Sequence, residues 1–362
     1  MTRVGQWSIA VALLGIALAS SVSGALEASD PLALELARWG ALVRDTLAEG
    51  EIWTEVKEGA GPALARSEQA LHEGRRLLAL HRLAAVQADL GAALFLLGRP
   101  AEERQQAAAF EREWQRVGIE LGAATLASSA AAFEAIRPAA VRAIGEAALP
   151  QVGAYYDASL DYGRNTQPES GLFYIGVALA QRQFADFCRT LSIPTSLAPP
   201  PLRGLGPELV TLEGELVGAY RPPASIDRHP AFILASAAIK QARELDAAGL
   251  RHGALYRYLD AVQRVAQARA AATSPDVHAV ASRLRRWQER LGEGAVDHSL
   301  GRLFLELAQA NLDGAAGSDP VAAAAIAADV LPHYFAALAP APPASAAPKA
   351  DVTVTLVRWP YT

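Results

Sequence analysis

The chain has 362 residues, 51% hydrophobic, 7% aromatic and 20% charged, with a net charge of −5 at neutral pH. That length suits about two domains of ~150 residues. The acidic balance excludes the basic footprint of a nucleic-acid-binding protein, and a single cysteine leaves no internal disulfide to staple the fold. Alanine supplies much of the apolar count, which points to closely approaching helices with small side chains.

Residues 1–25 read as a cleavable secretory signal. Arg3 gives the positive start, 8–19 an apolar run, and Ser23-Gly24-Ala25 the small residues for cleavage after Ala25. The run is shorter than the ~20 residues of a membrane span. No later segment reaches spanning length without charges, so no transmembrane span is expected in the mature chain. Its location is then periplasmic or secreted, and losing Arg3 leaves it one unit more negative. An N-terminal helical domain is expected over 26–193. Asp30 and Pro31 start a first helix with the stripe Leu32, Leu36, Trp39, Val43 and Leu47, closed by Gly50. A short helix over 51–58 should stop at Gly59-Ala60-Gly61-Pro62. A long run to Leu97 follows, with a break near Gly74, then a turn at 98–100. One helix over 101–117 packs by Phe110, Trp114 and Val117. Helices over 123–136 and 139–162 are separated by Pro138, and the second is kinked at Pro150.

The stretch 161–191 carries the most varied polar chemistry. Thr166 and Glu169 have capping-box spacing with Pro168 in the first turn. Phe173, Val177, Ala180, Phe184, Phe187, Cys188 and Leu191 then recur every three or four residues. A Pro/Gly-rich linker over 194–206 leads into a second helical domain, 207–338. Its helices are expected at 207–220, 230–248, 251–272, 275–291 (Ser274 as N-cap), 297–312 and 320–338 (Asp319 as N-cap). An Ala/Pro linker, 339–350, precedes a tail, 351–362, in which Val352, Val354 and Leu356 alternate with threonines as in a β-strand.

Leu90-Gly91, Leu94 and Gly98, followed by an alanine-rich helix with Ala107 and Phe110, resemble one tetratricopeptide-type helix pair over 87–110. Gly176 and Ala178 form a poorer echo, and Glu103 stands where that family has alanine. The resemblance implies antiparallel helix pairs stacking into a scaffold. The expected fold is therefore all-α, helix pairs in a solenoid-like or bundle array of two halves, with a short C-terminal strand.

Two groups of residues carry candidate chemistry. Tyr155, Tyr156, Asp157, Asp161, Arg164, Glu169 and Tyr174 are candidates for a polar ligand site where two helices meet, Arg164 clamping an anion. Capping and helix pairing account for the same residues. Partner contacts are expected from Arg283, Arg285, Arg286, Trp287 and Arg290, within a segment of ten basic and five acidic residues over 240–290. A second set is Val352, Val354 and Leu356, which can add a strand to a partner's sheet, dock on their own chain, or pair two copies in a homodimer. The histidines lack ligand spacing and no catalytic motif is present, so neither metal nor cofactor is expected. The preferred function is a non-catalytic scaffold or binding protein with a protein partner in the cell envelope. The alternative is a small-ligand carrier or enzyme with its site around 155–174.

Overall fold

The computed structural model describes residues 30–46, 51–122, 126–192, 195–220, 226–269, 275–315 and 319–338. The signal segment, Gly50, and the tail with Val352, Val354 and Leu356 lie outside the described residues. Among these residues there are fourteen α-helices and no strand. They are α1 (Pro31–Asp45), α2 (Glu51–His72), α3 (Arg76–Leu97), α4 (Ala101–Arg104), α5 (Ala107–Leu121), α6 (Leu126–Glu134) and α7 (Ala139–Asn165). Then follow α8 (Pro168–Thr190), α9 (Gly206–Ala219), α10 (His229–Ala247), α11 (Arg251–Arg269), α12 (Val277–Gly292), α13 (Ser299–Ala310) and α14 (Pro320–Leu338).

The molecule is arranged around α7. Every residue from Ala139 to Pro150 except Arg142 is withdrawn from solvent, with Ala140, Ala143 and Glu146 fully covered. A helix this apolar on all sides belongs inside a core. Its long partner is α8, reached by the tight turn 165–167, and α10, α11 and α13 lie against its first half. One contiguous cluster of buried residues runs from Leu32 in α1 to Tyr334 in α14, so both halves of the chain share a core. A satellite cluster of Leu96, Phe110, Val117, Leu172 and Ile175 sits under α5. The α3 and α14 helices are apolar and long enough to cross a membrane by length and composition alone, and 44% of the apolar stretch of each is buried in the core.

Small residues set the closest approaches. A Cβ on Gly171 would lie 2.5 Å from Gly163 Cα and 2.6 Å from the Phe110 ring, so α7 and α8 touch by backbone beneath that ring. A Cβ on Gly91 would lie 2.6 Å from Ala180 Cβ, where α3 meets α8. The alanine-rich composition is thus used as interhelical proximity.

Four local expectations are corrected. The helix over 51–58 does not stop at Gly59-Ala60-Gly61-Pro62; α2 runs through to His72 with Pro62 inside it. Trp53, Ala60, Leu64, Ser67 and Ala70 are all buried along one stripe, and this tertiary burial outweighs the breakers. The helix over 101–117 is two helices, interrupted at Gln105-Gln106. The Thr166–Glu169 capping box does not form. Gln167 is the N-cap and the Glu169 carboxylate instead accepts from Arg104 (3.1 Å) and Gln105 (2.6 Å). In α12 the cap is Asp276, accepting from His278 N, rather than Ser274.

Two buried acids cap helices from a distance. Asp297 Oδ2 accepts from Ala139 N at 2.6 Å and its Oδ1 from Ser299 N at 3.0 Å, closing the starts of α7 and α13 together. Ser299 Oγ accepts from Ala140 N at 2.9 Å. Glu146, inside α7, accepts from Gly253 N at 2.7 Å near the start of α11 and from Arg142 at 2.6 Å. The 194–206 connection is tied in as well: Ala198 and Val296 form a single parallel bridge, with Asp297 N donating to Ala198 O at 2.7 Å.

Candidate functional site

The α7–α8 hairpin carries the seven polar residues read as a ligand site, and it distributes them over different sides. Tyr156 points toward α5, its ring stacked on Trp114 at 5.5 Å and its hydroxyl donating to Trp114 O at 2.7 Å. Burial raises the Tyr156 pKa. Arg164 is exposed and donates twice to Glu111, at 2.8 and 3.0 Å, which holds the Glu111 carboxyl below its usual range. Its guanidinium is therefore occupied by a protein carboxylate. Glu169 joins α8 to α4 through Arg104. Asp161 is exposed, and Asp157 faces a separate cavity of about 390 Å³ with Tyr156, Arg182 and Lys240. The expected single cleft is absent because these residues sit at different angles around α7, and α5 and α4 claim two of the charges.

Of the seven, only Tyr155 and Tyr174 come together, with Tyr162 of α7 joining them. Tyr174 stacks on Tyr162 at 4.3 Å and on Tyr155 at 5.8 Å, with Phe173 edge-on at 6.1 Å. Desolvation, reinforced by the Tyr162 hydroxyl, pushes the Tyr174 pKa up to about 12, so the Tyr174 phenol is neutral at any physiological pH. Burial likewise raises Tyr155.

This stack forms one wall of a groove of about 650 Å³. The α2 helix contributes Glu55, Val56, Gly59 and Ala60, α3 contributes Val86 and Asp89, and the hairpin contributes Tyr162, Ser170, Phe173 and Tyr174. Asp89 remains exposed at the opening, yet crowding by the walls desolvates it enough to raise its carboxyl pKa. Sequence reasoning missed Glu55, Gly59 and Asp89. A signal for Asp89 was present: it is the sole charge between Arg82 and Arg99. For Glu55 there was none, because its helix was expected to end within a turn.

The arginine-rich segment is α12. Its face of Val280, Leu284 and Leu291 is buried, and Trp287 stacks on Phe335 of α14 at 5.4 Å. Arg283 pairs with Asp329 at 2.6 Å, and the Arg290 guanidinium lies 4.0 Å from the centre of the Phe335 ring. Arg285 and Arg286 are exposed, with Arg285 donating to Ser282 at 3.3 Å. Trp287 and Arg283 thus hold α12 on the body, and the outward charge comes from Arg285, Arg286 and the exposed part of Arg290.

Cys188 is fully buried in the α7–α8 crossing, where burial pushes its thiol pKa far up. Among the described residues no group of three His, Cys, Asp or Glu could hold a metal ion. Comparison with known proteins finds no matching family model, no matching curated protein and no matching solved structure.

Proposed function

We propose that the chain is an exported, non-catalytic helical binding protein that works by protein–protein contact in the cell envelope. One observation carries this reading: among the described residues, five of the nine large exposed hydrophobics fall in one stretch of chain, α9 to the start of α10, here called the shoulder. Val210, Val217, Ile226, Ile233 and Leu234 are all at least half exposed there. The other large exposed hydrophobics, Leu34, Ile119, Tyr162 and Val277, are scattered. Clustered exposed apolar side chains are the mark of an interaction surface, whereas single ones are ordinary. The shoulder is stiffened by Tyr220, stacked on Phe232 at 4.4 Å and hydrogen-bonded to His229 at 2.9 Å. The acids of α9 do not cover it: Glu213 pairs with Arg243 and Glu215 with Arg269.

The antiparallel pairs α7–α8 and α10–α11 support the scaffold part of the proposal, which includes tetratricopeptide-type stacking of helix pairs. Export rests on the signal pattern of residues 1–25. The strand at Val352, Val354 and Leu356 adds to a partner's sheet or to a second copy.

Photo-crosslinking residues placed at Val217 and Leu234, with Glu120 on α5 as a control position, test the shoulder in intact cells. The expected result is one discrete adduct from the envelope fraction at 217 and 234, absent at 120. No adduct, or the same adduct at all three positions, overturns the reading. Deleting 340–362 tests the strand separately, since unchanged partner capture and oligomer size would remove it from the proposal.

A further inference from the structure

We propose that the groove between α2, α3 and the α7–α8 hairpin binds a small organic cation, an amine or quaternary ammonium carried on an apolar or aromatic body. Three independent features of the groove converge on that chemistry.

The first is the aromatic wall. Tyr155, Tyr174 and Tyr162 form a continuous stack of phenol rings, and Tyr162 at one end is 42% exposed. Ring faces carry negative quadrupole density and attract cations within about 6 Å of the ring centre. Elsewhere in the molecule arginines already take such places, over Trp39 and Phe95 for example. No arginine or lysine lines this groove.

The second feature is charge. Two carboxylates, Asp89 and Glu55, lie at the groove, and among the described residues neither enters an ion pair. Fewer than half of the acids among the described residues pair with arginine, so what sets these two apart is their place beside a tyrosine stack with no arginine or lysine in the lining. Desolvation already disfavours the Asp89 charge, and an incoming cation offsets that cost directly.

The third is space. A volume of about 650 Å³ lies within the range of small-molecule sites, roughly 300–1,000 Å³. Gly59 faces it from the middle of α2, and a Cβ built there meets nothing within 4 Å. No packing contact calls for glycine at that point in a helix. Its absent side chain leaves the groove open. A sugar also stacks on tyrosine, but needs a dense set of hydrogen-bonding groups. Val56, Ala60, Val86 and Phe173 give the remaining walls an apolar character instead.

Calorimetric titration of the mature chain with benzyltrimethylammonium tests this, with benzyl alcohol and benzenesulfonate as neutral and anionic counterparts. The cation is expected to bind at least about tenfold more tightly than the alcohol, the sulfonate not at all, and added salt should weaken the cation. Asp89→Asn should weaken the cation by about tenfold, the scale of one charge-assisted contact. Gly59→Trp should remove binding while the helical circular-dichroism signal is kept. Nuclear Overhauser contacts from the probe's methyl groups to the Tyr162 and Tyr174 rings provide a readout that needs no variant. Equal affinity for cation and alcohol, an unaffected Asp89→Asn variant, preferred binding of cellobiose, or no binding at millimolar probe would each overturn the assignment.

Discussion

His252 sits where the starts of α7, α11 and α13 meet, and neither ring nitrogen finds a protein partner. Burial, with Arg142 and Arg137 nearby and opposed only by Asp297, lowers its pKa from about 6.5 to about 3. The imidazole is thus neutral when folded and charged when unfolded over that interval. Its contribution to stability is complete above pH 6.5 and is lost as pH falls toward 3, at up to about 1.4 kcal/mol per pH unit. Glu146, one helix away, acts in the opposite sense. Burial raises its pKa, so folding gains as pH falls through the folded value toward 4.5. Urea midpoints measured from pH 4 to 7 separate the two: His252→Leu should flatten the acid loss, and Glu146→Gln should steepen it. An unchanged slope in His252→Leu would mean that the ring is not held neutral. The glycines give a second residue-scale contrast. Gly171→Ala forces a methyl against Gly163 and Phe110 and should cost about 1–3 kcal/mol. Gly59→Ala meets open space inside a helix and should stabilise by about 0.5–1 kcal/mol. Urea denaturation reads both.

At the scale of the element, caps differ by what they close. Asp297 is 3% exposed and serves two helices, so Asp297→Ala should cost about 1–4 kcal/mol, one cap's worth at each of α7 and α13. Asp276 caps α12 alone at the surface, and Asp276→Ala should cost no more than about 1 kcal/mol. Paired denaturation curves check the ratio. The same distinction explains what the sequence could disclose. Asp30 and Asp319 were legible as caps because each lies next to the helix it starts. The double cap at Asp297 was not, because Ala139 is 158 positions away. Thr166 and Glu169 had capping spacing, but Arg104 and Gln105 arrive from α4 and outcompete the local bond. The helices themselves were readable from apolar period, whereas the end expected at Gly59–Pro62 failed because burial of Ala60 and Leu64 carries α2 onward. The groove was half visible. Tyr155 and Tyr174 lay within the stretch read as chemically active, but Glu55 and Asp89 reach them only once α2 and α3 are placed beside the hairpin.

For the whole molecule, the shared core makes the two halves of the chain one cooperative unit. Thermal and urea unfolding should show a single transition, with far-ultraviolet circular dichroism and thiol exposure coinciding. Cys188 makes that measurement simple. It is fully covered, and Gly145 of α7 lies so close that an added Cβ would sit 2.8 Å from Cys188 Cβ. Ellman's reagent should therefore leave the native chain unlabelled and react only as the core opens; fast labelling in water would contradict the packing. The placement of Asp297 and Ser299 reaches further still, into the timetable of synthesis. The central helix is threaded early, but the groups that finish its first turn leave the ribosome more than 150 residues later. A nascent chain ending before Asp297 carries that turn with two amides still seeking acceptors, so its middle stays unsettled until the polypeptide is nearly complete.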